Sequence, residues 1–195
     1  MLFVLAGASG AALVAQVLFD LDMTWTAGLL VLPASALLVV VAFAGQRRFD
    51  RLAIVADRLV AGATWGLFAT FVYDVIRPVT VTVFQYDFPP YKAHAIFGQL
   101  ITGRPSTDAF AITMGWVFHI WNGISFGVML ALIRPRGGPI VGLAWALFLQ
   151  GCMMAIYPRF LEVRLETPGF LMTTVVGHSA YGLALGESLR RWGAR

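Results

Sequence analysis

Residues 110–133 read FAITMGWVFHIWNGISFGVMLALI, an uninterrupted run without Asp, Glu, Lys or Arg, bounded by Asp108 and Arg134. At 1.5 Å per residue a helix of this length reaches about 36 Å, enough to cross the roughly 30 Å hydrocarbon core of a bilayer. Five further apolar stretches flank it, at 1–19, 26–45, 52–76, 140–157 and 170–189. The whole chain of 195 residues is 59% hydrophobic and only 12% charged, with a mean hydropathy of +0.79. Soluble domains run about 45–50% apolar and about 25% charged, so lipid must act as solvent for much of this surface. The expectation is an all-α integral membrane protein: one membrane domain over 1–195, built as a bundle of six transmembrane helices.

The basic residues orient it. Arg47, Arg48 and Arg51 follow the second stretch, Arg134 and Arg136 the fourth, and Arg190, Arg191 and Arg195 the sixth. All fall on one side if six helices alternate, and the positive-inside rule makes that side cytoplasmic. Both termini are then expected on the cytoplasmic side. The net charge of +4 belongs to this topology; no basic stripe interleaves with exposed aromatics as nucleic-acid binding would require. The lone Cys152 excludes an intramolecular disulfide or a CxxC motif and reads as a small buried hydrophobe.

An internal repeat organises the second half. VAGATWGLF (60–68) aligns with IVGLAWALF (140–148), so that Gly62, Trp65, Leu67 and Phe68 match Gly142, Trp145, Leu147 and Phe148 at a constant offset; Ile76 and Pro78 match Ile156 and Pro158 at the same offset. In the helices that follow, HIWNGISFG (119–127) aligns with HSAYGLALG (178–186): His119, Gly123 and Gly127 recur as His178, Gly182 and Gly186. Residues 52–136 then form one repeat (helices three and four, with a long outer loop at 77–108), residues 137–195 a second (helices five and six), and 1–51 an N-terminal hairpin. Both repeats start on the same side, so they are parallel. Gly62, Gly66, Gly123, Gly127, Gly182 and Gly186 are the helix-packing residues, since small residues mark the faces where membrane helices touch.

The Gly62-x-x-x-Gly66-x-x-x-Thr70 pattern, the His119 helix and the Gly177-His178 pair resemble those of YagU-like bacterial inner-membrane proteins, over about 60–191. That resemblance implies a multi-helix inner-membrane protein and supplies no catalytic residues, because the family has no settled activity.

Candidate chemistry centres on two intramembrane histidines. His119 and His178 each lie about two to three turns from the outer end of their helix, so near mid-bilayer, and Asn122 and Tyr181 follow each by three residues. Ionisable groups at such depth are functional-site candidates. Three uses stay open: neutral imidazoles as interhelical glue, a site that binds or conducts a proton or small polar solute, or axial ligation of haem b or of a metal ion by both histidines. On the outer side Asp74, His94, Glu162 and Glu166 are weaker candidates. Asp74 is read as pairing with Arg77, and Glu162 and Glu166 with Arg159 and Arg164. Residues 94–102 suggest an interfacial or re-entrant helix. Gly7-Ala8-Ser9-Gly10 has the look of a serine-nucleophile motif, but it opens the chain while His178 sits in the last helix, so it reads as small residues for helix packing; whether the chain is an enzyme stays open, with the reading leaning against it. Expected partners are the lipid bilayer and either a membrane-protein partner, as in a subunit of a larger complex, or a second copy of the chain.

Overall fold

The computed structural model describes residues 1–48, 50–160 and 167–194. Every regular element among them is helical: α1 (Leu2–Ala6), α2 (Ala8–Phe19), α3 (Met23–Thr26), a π-helical turn (Ala27–Val31), α4 (Leu32–Arg48), α5 (Asp50–Val83), α6 (Lys92–Thr102), α7 (Ala109–Ile133), α8 (Pro139–Phe160) and α9 (Phe170–Trp192). Backbone N–H and C=O groups find no water in hydrocarbon, which leaves helices as the way for such apolar segments to pair them. Among the described residues, four stretches are long and apolar enough to cross a membrane: Met23–Gly45, Leu52–Val83, Ala109–Ile133 and Pro139–Ile156. The chain is a membrane protein on that ground.

The first apolar stretch is not one continuous helix. It breaks at Gly7 into α1 and the twelve-residue α2. Asp22 then caps α3, accepting from the backbone N–H groups of Thr24 and Trp25 at 2.7 and 3.2 Å.

The largest departure from the sequence expectation is at 77–108. α5 does not stop at Ile76; it runs 34 residues to Val83, about 51 Å, well beyond the hydrocarbon thickness. It does so through Pro78. A proline lacks the N–H that would bond the carbonyl four residues back, which here is that of Asp74. The Tyr91 hydroxyl donates to that carbonyl instead, at 2.8 Å, and so ties the segment before α6 to the side of α5. Then α6 occupies 92–102 until Gly103 adopts a left-handed conformation (φ 66°) and ends it. Asp108 opens α7 by accepting from the N–H groups of Phe110 and Ala111.

Close crossings at glycine hold the helices together. A Cβ at Gly62 would strike Val128 and Gly127, and one at Gly66 would strike Gly123 and Gly127, so α5 and α7 meet backbone to backbone. α8 meets α9 in the same way, with Gly142 against Gly182 and Gly186, and Gly182 against Ala146. A third crossing was not expected. Gly98 of α6 lies against Ala111 and Gly115 of α7, and Gly115 against the backbone of His94.

α5 is the central post, packed against α4, α7 and α9. Phe88, Phe97, Phe118 and Phe170 join Leu13 and Met23 in an apolar cluster toward one end of the bundle. Leu130, Leu185 and Leu189 form another toward the opposite end, around Trp65, Trp145 and Trp192. At that end Glu187 binds Arg190 and Arg191, as their spacing suggests. Trp192 donates to Asp57. Cys152, read from sequence as buried, is exposed on α8.

Candidate functional site

The α6–α7 crossing decides the geometry of the site. His94 and Gly98 are one helical turn apart on α6, as are Gly115 and His119 on α7. Bringing the two glycines to backbone contact therefore lays one imidazole over the other: the ring centroids of His94 and His119 are 4.1 Å apart. His119 in turn meets α5. Its Nε2 lies 2.9 Å from Oδ1 of Asp74, with both side chains about 15% exposed. Asp74 thus pairs with His119 and not with Arg77, contrary to the sequence expectation. An i, i+3 pair was the local choice; the tertiary contact with α7 supersedes it. One ligand-type atom from each of Asp74, His94 and His119 falls within 4.8 Å of the others.

Aromatic rings fix the two imidazoles. Trp116 packs edge-on against His94 at 4.2 Å and against His119 at 5.9 Å, and Tyr91 stacks on His94 at 5.4 Å. His94 is only 2% exposed, and its Nδ1 has no hydrogen-bond partner. Burial, reinforced by the neighbouring His119 and Arg77, pushes this imidazole down to about 2. It is therefore a neutral ring with a lone pair to offer.

Arg77 stands one turn beyond Asp74 on α5. It is 4% exposed, lies over the rings of Tyr73 and Tyr91 at 5.0 and 5.8 Å, and has its Nε without a hydrogen-bond partner. With Lys92, Thr174, His94 and His119 it lines a cleft of about 20 Å3.

His119 and His178 do not face one another directly. Tyr73 stands between them, its ring 5.6 Å from His119 and 5.0 Å from His178. His178 is held by its own helix: Nδ1 donates to the Thr174 carbonyl at 2.8 Å. Tyr181 donates to the Gly123 carbonyl at 2.7 Å, bridging α9 to α7. The Asn122 side-chain oxygen is buried without a partner. A cavity of about 50 Å3 connects this group, lined by Thr70, Tyr73, His119, Asn122, His178 and Tyr181 among others. That volume suits one or two waters. With the Tyr73 ring filling the gap between them, the geometry gives no support to haem b slung between His119 and His178.

The sequence candidates therefore divide. Asp74, His94 and His119 converge. His178, Asn122 and Tyr181 line the adjoining cavity. Glu162 and Glu166 lie outside the described residues. Tyr73, Tyr91, Trp116 and Arg77 were not anticipated as site residues, nor was the Gly98–Gly115 crossing. The matched one-turn spacings of His94 with Gly98 and of Gly115 with His119 were the available signal. No protein-family model, curated protein or solved structure matches the chain.

Proposed function

We propose that this protein binds or conducts a proton or a small polar solute through a buried histidine site, and that it is not an enzyme. The observation that carries this reading is the His119–Asp74 contact at 2.9 Å: a histidine and a carboxylate inside an apolar bundle, beside a cavity that reaches His178. Ionisable groups in such surroundings are rare without a use, and an imidazole, with a nitrogen on each side of its ring, can serve as a proton shuttle between a carboxylate and a second partner. The route runs from His94 to His119 and Asp74, then by way of Tyr73 and the adjoining cavity to His178.

The wider frame is a six-helix inner-membrane bundle with both termini in the cytoplasm, similar to YagU-like proteins, with helices three and four repeated in helices five and six. Two matched sets of contacts support the repeat. Gly62 against Gly127 has its counterpart in Gly142 against Gly186, and Gly66 against Gly123 in Ala146 against Gly182. Those pairs are the ones the sequence alignment equates.

Proton flux into liposomes with an entrapped pH-sensitive dye tests the function. The reconstituted protein is expected to dissipate an imposed pH step faster than protein-free liposomes, and His119→Gln and Asp74→Asn to slow it. If flux equals that of empty liposomes and no small polar solute alters the protein's thermal stability, the reading fails. Interhelical glue is favoured for one residue alone, Tyr181, whose hydroxyl is fully engaged with Gly123.

A further inference from the structure

Asp74, His94 and His119 come from three different helices, α5, α6 and α7, yet present their donor atoms within 4.8 Å of one another. In a tetrahedral zinc site with bonds near 2.0–2.1 Å, neighbouring donors stand roughly 3.3 Å apart. Side-chain adjustment of about an ångström would close the set onto an ion. A second observation is independent of that proximity. His94 is almost wholly buried, and its Nδ1 has no hydrogen-bond partner among the described residues, whereas buried ring nitrogens are ordinarily satisfied. Trp116 and Tyr91 hold the His94 ring in place, as the surroundings of a metal ligand must.

We propose that Asp74, His94 and His119 form a mononuclear site for a divalent first-row transition ion of the zinc or ferrous-iron class. Two imidazoles and one carboxylate favour such ions over calcium or magnesium, which take mostly oxygen donors. Three protein donors leave at least one coordination position open. Ion binding would displace the proton held in the His119–Asp74 contact. Arg77 and Lys92 line the adjoining cleft, and their positive charge opposes the ion. An anionic fourth ligand, such as hydroxide or a carboxylate, offsets that repulsion. The proposal rests on this cluster being the working site, but it does not require that protons cross the membrane.

The test uses the full chain in detergent, stripped with chelator and titrated with Co2+ alone. Visible ligand-field bands are expected to saturate at one ion per chain and to be abolished by one equivalent of Zn2+. Asp74→Asn, His94→Gln and His119→Gln should each weaken Co2+ binding by about tenfold or more. His178→Gln, outside the set, should leave it unchanged. His94→Cys keeps a donor in place and should add a thiolate-to-cobalt charge-transfer band, which guards against a variant that binds nothing because it is unfolded. The proposal is overturned if the wild-type chain gives no saturable bands, if His178→Gln weakens binding as much as His94→Gln, or if His94→Cys binds Co2+ without the new band. Proton flux in the metal-free protein separates the two readings: flux without cobalt binding removes the metal alone, and loss of both removes the site.

Discussion

Tyr91→Phe, made both in the wild-type chain and in a Pro78→Ala background, isolates one hydrogen bond. In the wild type the Tyr91 hydroxyl donates to the Asp74 carbonyl at 2.8 Å, an acceptor that Pro78 cannot serve. Removing the hydroxyl leaves that carbonyl without its donor in a half-buried place. The net bond is worth about 0.5–1.5 kcal/mol and an unsatisfied buried group costs about 1–3 kcal/mol, so a loss of about 2 kcal/mol is expected, a factor of roughly 30 in the folded-to-unfolded ratio. Pro78→Ala supplies a backbone N–H four residues after Asp74 and closes the helical bond. In that background Tyr91→Phe should cost only a few tenths of a kcal/mol, giving a coupling of about 1.5 kcal/mol. Reversible unfolding in mixed detergent–SDS micelles, run on all four chains, measures it. Equal costs of Tyr91→Phe in the two backgrounds, within the roughly 0.3–0.5 kcal/mol over which independent sites add, would refute the reasoning.

Other expectations are read with the same unfolding assay. Gly115→Ala drives a Cβ into the His94 backbone and should destabilise the fold by about 1–3 kcal/mol, while Gly151→Ala, with open space around it, should be neutral or gain up to about 1 kcal/mol. Gly62→Ala and Gly142→Ala meet equivalent backbone in the two hairpins and should both be destabilising by about 1–3 kcal/mol; a large cost at one and none at the other would tell against the repeat. His94 binds no proton in the folded metal-free chain until well below its ordinary range, whereas the unfolded chain takes one up near pH 6.5. Stability should therefore fall as pH drops below about 6.5, and His94→Gln should flatten that slope; an unchanged slope would show that His94 is not the group responsible.

The helical class and the α5–α7 and α8–α9 crossings were legible in the sequence because they depend on long apolar runs and on glycine spacing within single helices. The ends of α5 and the place of α6 were not. The apolar run stops at Ile76, ahead of Arg77 and Pro78, and nothing local announces that Tyr91 will satisfy the carbonyl that Pro78 leaves free. The site was half legible. His119 and His178 stood out as polar residues in apolar helices, but symmetry directed attention to their partnership and away from Asp74, whose counterpart Met154 has no charge. That His119 turns toward Asp74 and His94 depends on the crossing of α6 with α7, two helices of different length. Tyr73 has the same cause: an aromatic beside a carboxylate reads as interface packing until α9 is laid against α5.

Cys152 has a practical consequence. One thiol per chain, on an exposed face of α8, means that any disulfide-linked dimer can join only Cys152 to Cys152. Mild oxidation of the native chain in membranes therefore reports on self-association through α8 without engineered cysteines, and a labelled thiol counts chains directly.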